Sequence, residues 1–290
     1  MKRLTNVVSI AAMLAASAAG QSPSGYVEQY IVKVKPEKRA EFDAVAKKIA
    51  DANRKYKGDH WLAYSTEYGE QNTVTFSSVR DNFASIDTAS GAFLSAMKEG
   101  YGPGFMKLFQ DMNNCLTSAR GEVRRRRQDL SWNLPADASG FSKYVGESKW
   151  MRLLTVRVRP GKTAEYEEIV KSIKSAFEKG SPRIPTSVSQ SSVGQPAGTY
   201  YFTSFAKSLG DLDARQATPL RELMGGDAYQ RYQKAISEDT FTSESTIARI
   251  LPELSNPTAE IAGANPDFWT PKATAAPKPK AKAAPPKTGD

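Results

Sequence analysis

The chain of 290 residues has a single cysteine, Cys115, and a single histidine, His60. One cysteine excludes an intrachain disulfide framework. Cys115 and His60 alone cannot build a zinc site of several Cys and His ligands, or any chemistry that needs two imidazoles. Long apolar runs are also lacking: after Gly20 nothing approaches the roughly eighteen apolar residues of a membrane-crossing helix. No transmembrane segment is expected in the mature chain, and no metal or cofactor is implied. With 40% apolar residues the chain can still bury a sizeable core, and its length suits about two domains of roughly 150 residues.

The formal net charge is +9, yet it is concentrated at the ends. Lys2 and Arg3 supply +2, and Lys272, Lys278, Lys280, Lys282 and Lys287 against Asp290 supply +4, leaving +3 for everything between. A nucleic-acid partner is therefore not expected. Residues 1–20 combine that basic start with an apolar run from Val7 to Ala18 and the small residues Ala15 to Gly20. This is the three-part layout of a secretory signal peptide, so export to the periplasm or the extracellular space is expected, with cleavage near Ala18 to Gly20. In an exported chain the lone Cys115 reads as a small buried hydrophobe at a strand start; the sharper alternative is a reactive or intermolecular thiol. Residues 272–290, KATAAPKPKAKAAPPKTGD, carry no aromatic or β-branched aliphatic side chain and cannot offset the entropy of ordering. A disordered Lys/Pro/Ala-rich tail is expected, either solubilising or tethering the protein to an anionic cell-envelope surface.

The most informative feature is an internal repeat with an offset of about 124 residues. Val32-Lys33-Val34-Lys35-Pro36 is matched by Val156-Arg157-Val158-Arg159-Pro160, and the stripe Phe42, Val45, Ile49 by Tyr166, Ile169, Ile173. Thr73 to Ser78 returns, slipped by two residues, as Thr199 to Ser204, and Asp129-Leu130-Ser131 as Glu253-Leu254-Ser255. Within the first copy, Tyr26 to Lys35 reads as a strand stopped by Pro36, which opens a helix to about Tyr56. Trp61 to Glu67 and Thr73 to Val79 form a hairpin around Tyr68 to Asn72. A helix from Asp81 to Met97 breaks at Gly100-Tyr101-Gly102-Pro103-Gly104 and resumes from Phe105 to Asn113. Leu116 to about Arg127 closes the unit as a strand. The order is β-α-β-β-α-β, that of a ferredoxin-like unit.

This unit, its V-x-V-x-P-x-K-x-x-E-F/Y opening and the tandem arrangement resemble the dimeric α/β-barrel superfamily, particularly its antibiotic-biosynthesis-monooxygenase-like branch, over about Tyr26 to Ser255. The resemblance implies an α+β fold: two ferredoxin-like repeats packed sheet to sheet as an intrachain pseudo-dimeric α/β barrel. The expected divisions are a signal peptide at 1–20, a first repeat at 25–131, a linker at 132–148, a second repeat at 149–255, a C-terminal extension at 256–271 and the tail at 272–290. On the first strand of each repeat the even-numbered Tyr30, Val32, Val34 and Leu154, Val156, Val158 should face the helices. The odd-numbered Gln29, Ile31, Lys33 and Leu153, Thr155, Arg157 should line the barrel.

That geometry selects the candidate ligand-binding residues Lys33, Arg157, Trp61, Tyr64 and Tyr201. Two matched cations could meet an anionic or enolate group, and the aromatics could stack on a planar ligand. The plainer readings are strand-end cations reaching solvent and aromatics packing a sheet face. Members of the resembled superfamily that use haem supply an axial histidine; only His60 is available here, and its position before the second strand better suits a surface imidazole. The run Arg124 to Arg127 should alternate faces of its strand, two pairing with carboxylates and two staying wet on a solvated edge. No catalytic residue can be assigned. The expected function is an exported α/β-barrel protein binding a small, partly apolar ligand without assigned catalysis. The alternatives are a cofactor-independent monooxygenase or isomerase on an aromatic or enolisable substrate, and an envelope-associated structural protein with a basic tether.

Overall fold

A computed structural model describes residues 25–180, 185–216 and 218–270. The expected signal peptide and the tail from Lys272 onward lie outside these residues. In chain order the elements are β1 (Tyr26–Val34), α1 (Arg39–Lys55), β2 (Leu62–Tyr68), β3 (Thr73–Arg80), α2 (Phe83–Tyr101), α3 (Phe105–Asn114), β4 (Leu116–Arg126), α4 (Ala138–Gly146), β5 (Trp150–Val158), α5 (Thr163–Lys179), β6 (Ser187–Val193), β7 (Thr199–Ala206), α6 (Leu220–Met224), α7 (Gly226–Asp239), β8 (Thr240–Ile250), α8 (Ala259–Ala264) and α9 (Pro266–Trp269). Local chemistry sets several of these limits. Pro36 opens a short 3-10 turn ahead of α1, Asn82 and Ser85 form a reciprocal cap on α2, and the 3-10 turn Gly102–Gly104 separates α2 from α3.

The eight strands close one antiparallel barrel in the order β1-β3-β2-β8-β5-β7-β6-β4. The first half contributes β4-β1-β3-β2 and the second β8-β5-β7-β6. Pairing of β2 with β8 and of β4 with β6 joins them, leaving no free strand edge in the barrel. The Arg-rich β4 is thus flanked on both sides, so the expected solvated edge does not form. Arg124 and Arg127 are buried, Arg125 is exposed, and Arg126 lies 5.7 Å from the Phe141 ring. The two hairpins turn alike: Asn72 (φ 61°) and Gly198 (φ 81°) both take the left-handed conformation, and their carbonyls accept from Val34 and Val158.

Strand parity divides the side chains as the period-2 pattern requires. Val32 and Val34 pack outward against Phe42, Ala46, Ile49 and Ala50 of α1, with Met97 of α2 and Leu108 of α3. In the second half Val156 and Val158 pack with Tyr166 and Val170 of α5, and with Tyr200 and Phe202 of β7. Each half borrows a piece of its core from the other. Leu130, which follows β4, belongs to the second-half cluster, whereas Leu254, which follows β8, belongs to the first. The backing hydroxyls are exchanged likewise: Ser131 Oγ accepts from Val188 N at 2.8 Å and Ser255 Oγ from Ala63 N at 2.8 Å.

The segment expected as a plain linker contains α4, whose N-terminus is capped by Asp137 accepting from Gly140 N at 2.6 Å. Residues after β8 fold back over it. A Cβ on Gly146 would collide with the Ile261 carbonyl, so only glycine permits the close approach of α8. Trp269, buried, donates its Nε1–H to Gly146 O at 2.8 Å.

Candidate functional site

Two compartments matter: the inside of the barrel, and the layer between the first-half strands and their helices. Side chains occupy the first. Tyr64, Met151 and Ala248 form a buried cluster there with Leu153 and Phe205. Beside it, the Glu122 carboxylate, 2% exposed, accepts from Arg124 Nη2 at 2.6 Å, Arg120 Nε at 2.9 Å, Gln195 Nε2 at 2.9 Å and Tyr201 Oη at 3.2 Å. Burial pushes this carboxyl up, but the Arg124 charge and the converging donors outweigh it and hold it below the usual carboxylate range. Arg124 also stacks on the Tyr201 ring, 3.4 Å from its centroid. Burial pushes the Tyr201 hydroxyl up to about 12 and raises that of Tyr64. Gln29 Nε2 donates to Tyr64 Oη at 3.0 Å, and Gln29 Oε1 is buried without a partner among the described residues.

The cations of the sequence reading lie elsewhere. Lys33 pairs with Glu70 at 2.6 Å, both side chains well exposed, and Arg157 lies 5.1 Å from the exposed Phe241 ring. Among the described residues no hydrogen bond, ion pair or ring contact joins Lys33 to Arg157, or either of them to Tyr64 or Tyr201.

The second compartment holds a cavity of about 610 Å³, partly open to solvent. Its floor comes from the helix-facing parity of the sheet: Glu28 and Tyr30 of β1, with Phe76, Ser78 and Arg80 of β3. Its walls are Ala46 and Ile49 of α1, Ser90, Phe93 and Leu94 of α2, and Phe109 and Met112 of α3, with Trp61 and Asp59 at one side. Trp61 is thus the one candidate residue that reaches this space, held by its Nε1–H donating to Leu254 O at 2.7 Å. Three rings form a continuous aromatic wall: Trp61 meets Phe93 edge-on at 6.0 Å, and Phe93 stacks on Phe109 at 5.9 Å.

The polar end of the cavity is an ion cluster. Arg80 donates to Glu28 Oε2 (2.7 Å) from Nε, and to Asp59 Oδ1 and Oδ2 (2.7 and 2.6 Å) from Nη1 and Nη2. Burial disfavours the guanidinium's charge, and the bonds to Asp59 and Glu28 outweigh that effect. The hydroxyl of Tyr30 at the lip is pushed up by burial. His60 does not line the cavity. It is exposed, its Nδ1 sits 3.3 Å from Asn256 O, and its backbone N–H donates to Asp59 Oδ1 at 2.7 Å. An axial imidazole for haem is therefore missing from this wall, and the residues present do not fit that group. Cys115 is buried in the first-half core, its Sγ–H donating to Asp111 O at 3.3 Å.

Glu28, Asp59 and Arg80 were not among the sequence-derived candidates. A signal existed for two of them, because Glu28 and Arg80 put charge on the strand parity that otherwise faces helices.

No protein-family model matches the sequence, and no curated protein matches it. Among solved structures the chain is similar to a candidate monooxygenase from Fusobacterium nucleatum, with a TM-score of 0.52 and 9% identity over 80% of this chain and 94% of that one. It is also similar to an anthrone oxidase-like protein, with a TM-score of 0.50 and 11% identity over 80% and 92% of the two chains. A chlorite dismutase variant from Candidatus Nitrospira defluvii gives 0.49 at 10% identity over 80% and 93%. At such identities the likeness is one of fold. The first two agree with an α+β fold in which a closed eight-stranded antiparallel barrel is flanked by helices.

Proposed function

We propose that this protein binds a small, largely apolar molecule in the cavity between the first-half sheet and α1, α2 and α3. The observation that carries this reading is the cavity itself: about 610 Å³, walled by aromatic and aliphatic side chains and ending in one cluster of fixed polar groups. Small-molecule sites have this size and composition. The barrel interior, where Tyr64 and Tyr201 are committed to packing and hydrogen bonds, serves as scaffold.

The same reading takes the chain as two repeats, 25–131 and 149–255, that form an intrachain pseudo-dimer, with 132–148 as linker and 256–271 as an extension whose residues Ala259–Trp269 latch onto it. The exchanged Leu130 and Leu254 support a unit in which neither half is complete alone. Export through residues 1–20, and attachment of 272–290 to an anionic envelope surface, remain proposals from the sequence. Cofactor-independent oxygenation or isomerisation is a second reading; its oxygenation arm is favoured by the descriptions of a candidate monooxygenase and an anthrone oxidase-like protein, and the rest comes from the resemblance in the sequence.

Mass spectrometry under native conditions, applied to protein purified from its own source, tests the leading reading. A retained small molecule is expected, and Leu94→Trp, which replaces an aliphatic lining side chain with a bulky indole, should release it. Retention undiminished in Leu94→Trp would place the ligand elsewhere.

A further inference from the structure

The lining of the cavity has a definite electrostatic sign. Four of its residues are ionisable: Glu28, Tyr30, Asp59 and Arg80. With Arg80 protonated and both carboxylates charged, the wall carries one net negative charge. Arg80 gives three of its five N–H donors, one each from Nε, Nη1 and Nη2, to the oxygens of Glu28 and Asp59, whose two negative charges more than offset its own. An anionic ligand at the two remaining N–H groups would stand beside both carboxylates and meet the net negative charge of this end. Glu28 is different. Only its Oε2 is engaged, Oε1 has no partner among the described residues, and the side chain is 33% exposed. It can therefore accept from a donor inside the cavity. The same cavity is lined by the rings of Trp61, Phe93 and Phe109, an apolar wall for a planar ligand.

Resting on the proposed ligand site, we propose that the cavity selects an organic cation: an aromatic or polycyclic molecule carrying a protonated amine. The amine donates to Glu28 Oε1 while the ring system packs against Trp61, Phe93 and Phe109. The charge is the reverse of that expected from Lys33 and Arg157, which would have favoured an anion.

Calorimetric titration of the full chain at neutral pH with three probes of one shape tests this: pyrenemethylammonium, pyrenemethanol and pyrenecarboxylate. The ammonium is expected to bind at least about tenfold tighter than the alcohol, which corresponds to about 1.4 kcal/mol, and the carboxylate weakest. Glu28→Gln keeps the side-chain shape and should bring the ammonium to within about twofold of the alcohol. Asp59 retains its hold on Arg80 in that variant, and its melting temperature reports that the fold is intact. Alcohol or carboxylate binding as tightly as the ammonium overturns the cation proposal while leaving the cavity as a ligand site. An ammonium preference that survives Glu28→Gln overturns the role of Glu28. Failure of all three probes to bind overturns the ligand site itself.

Discussion

The two halves of the barrel share a backbone register and differ in what they place between sheet and helices. In the first half Glu28 stands opposite Ser78 on the neighbouring strand; in the second Arg152 stands opposite Ser204. Tyr30 opposite Phe76 becomes Leu154 opposite Phe202, and Tyr26 opposite Arg80 becomes Trp150 opposite Ala206. The ladder is kept while the side chains on it change sign, size and polarity. Beneath the helices, the first half has the cavity. In the second half Trp132 packs on Phe177 at 5.3 Å and on Phe202 at 6.0 Å, and Tyr166 on Tyr200 at 5.2 Å. Val74, which matches Tyr200, is buried in the first-half core and does not line the cavity. On matching ladders, the second half is thus filled by rings beneath its helices where the first is left open.

Tyr200→Ala should break the comparison most severely. Tyr200 is fully buried, and its hydroxyl donates to Glu167 Oε1 at 2.5 Å, so truncation removes both packing and a polar anchor. A loss of about 3–5 kcal/mol is expected in urea unfolding. A loss under about 1 kcal/mol would mean that the second half is as loosely filled as the first.

Somewhat smaller, about 2–4 kcal/mol each, is the expected cost of Leu130→Ala and Leu254→Ala, because each side chain seals the core of the opposite half. Both variants should keep a single unfolding transition. Two separated transitions would show that the halves are independent bodies and that the exchanged leucines are incidental.

Ionic chemistry sharpens the contrast further. Where the first half has the apolar Leu251 packed against its core, the second has Arg127, bonded to Asp129 and Glu167 at 2.5–2.9 Å. Bonds from Arg127 hold both carboxyls below their ordinary range, against the effect of burial. Groups with depressed folded values contribute stability that is complete above the unfolded carboxylate range of about 4 and is lost as pH falls through the folded values. Melting temperature should therefore drop on acidification below about pH 4, and Arg127→Met should flatten that drop. An unchanged slope in the variant would assign the acid sensitivity to Glu122 inside the barrel instead.

Much of this frame was legible in the sequence, because period-2 and period-3.6 patterns are local and the repeat let each half check the other. The strands, the split second helix at Gly102–Gly104 and the parity of Val32 and Val34 follow from such patterns. The cavity was not legible. It arises where the small Ala46, Ser78 and Ser90 from three separate elements meet beside Phe93 and Phe109, and no local pattern encodes the volume left over. The ion cluster was half visible, since charge at Glu28 and Arg80 contradicts an apolar parity, whereas Asp59 comes from a loop whose approach only the fold fixes. The helix α4 was missed although its cap, Asp137, stands in plain view; its apolar face is short and is covered by residues more than a hundred positions later, from α8.

The smallest effects are expected at Lys33 and Arg157, the matched cations that first suggested a site. The Lys33–Glu70 pair is exposed, at 43% and 60% of the two side chains, and pairs of this kind contribute about 0–1 kcal/mol. Neither cation lines the first-half cavity. Lys33→Ala and Arg157→Ala should therefore change stability by less than about 0.5 kcal/mol and leave the affinity for pyrenemethylammonium within experimental error. A clear loss of affinity in either variant would move the ligand from the helix–sheet layer to the mouth of the barrel. The two halves would then contribute to the site equally through their repeated opening strands, and the asymmetry of their helix layers would have to be explained by packing alone.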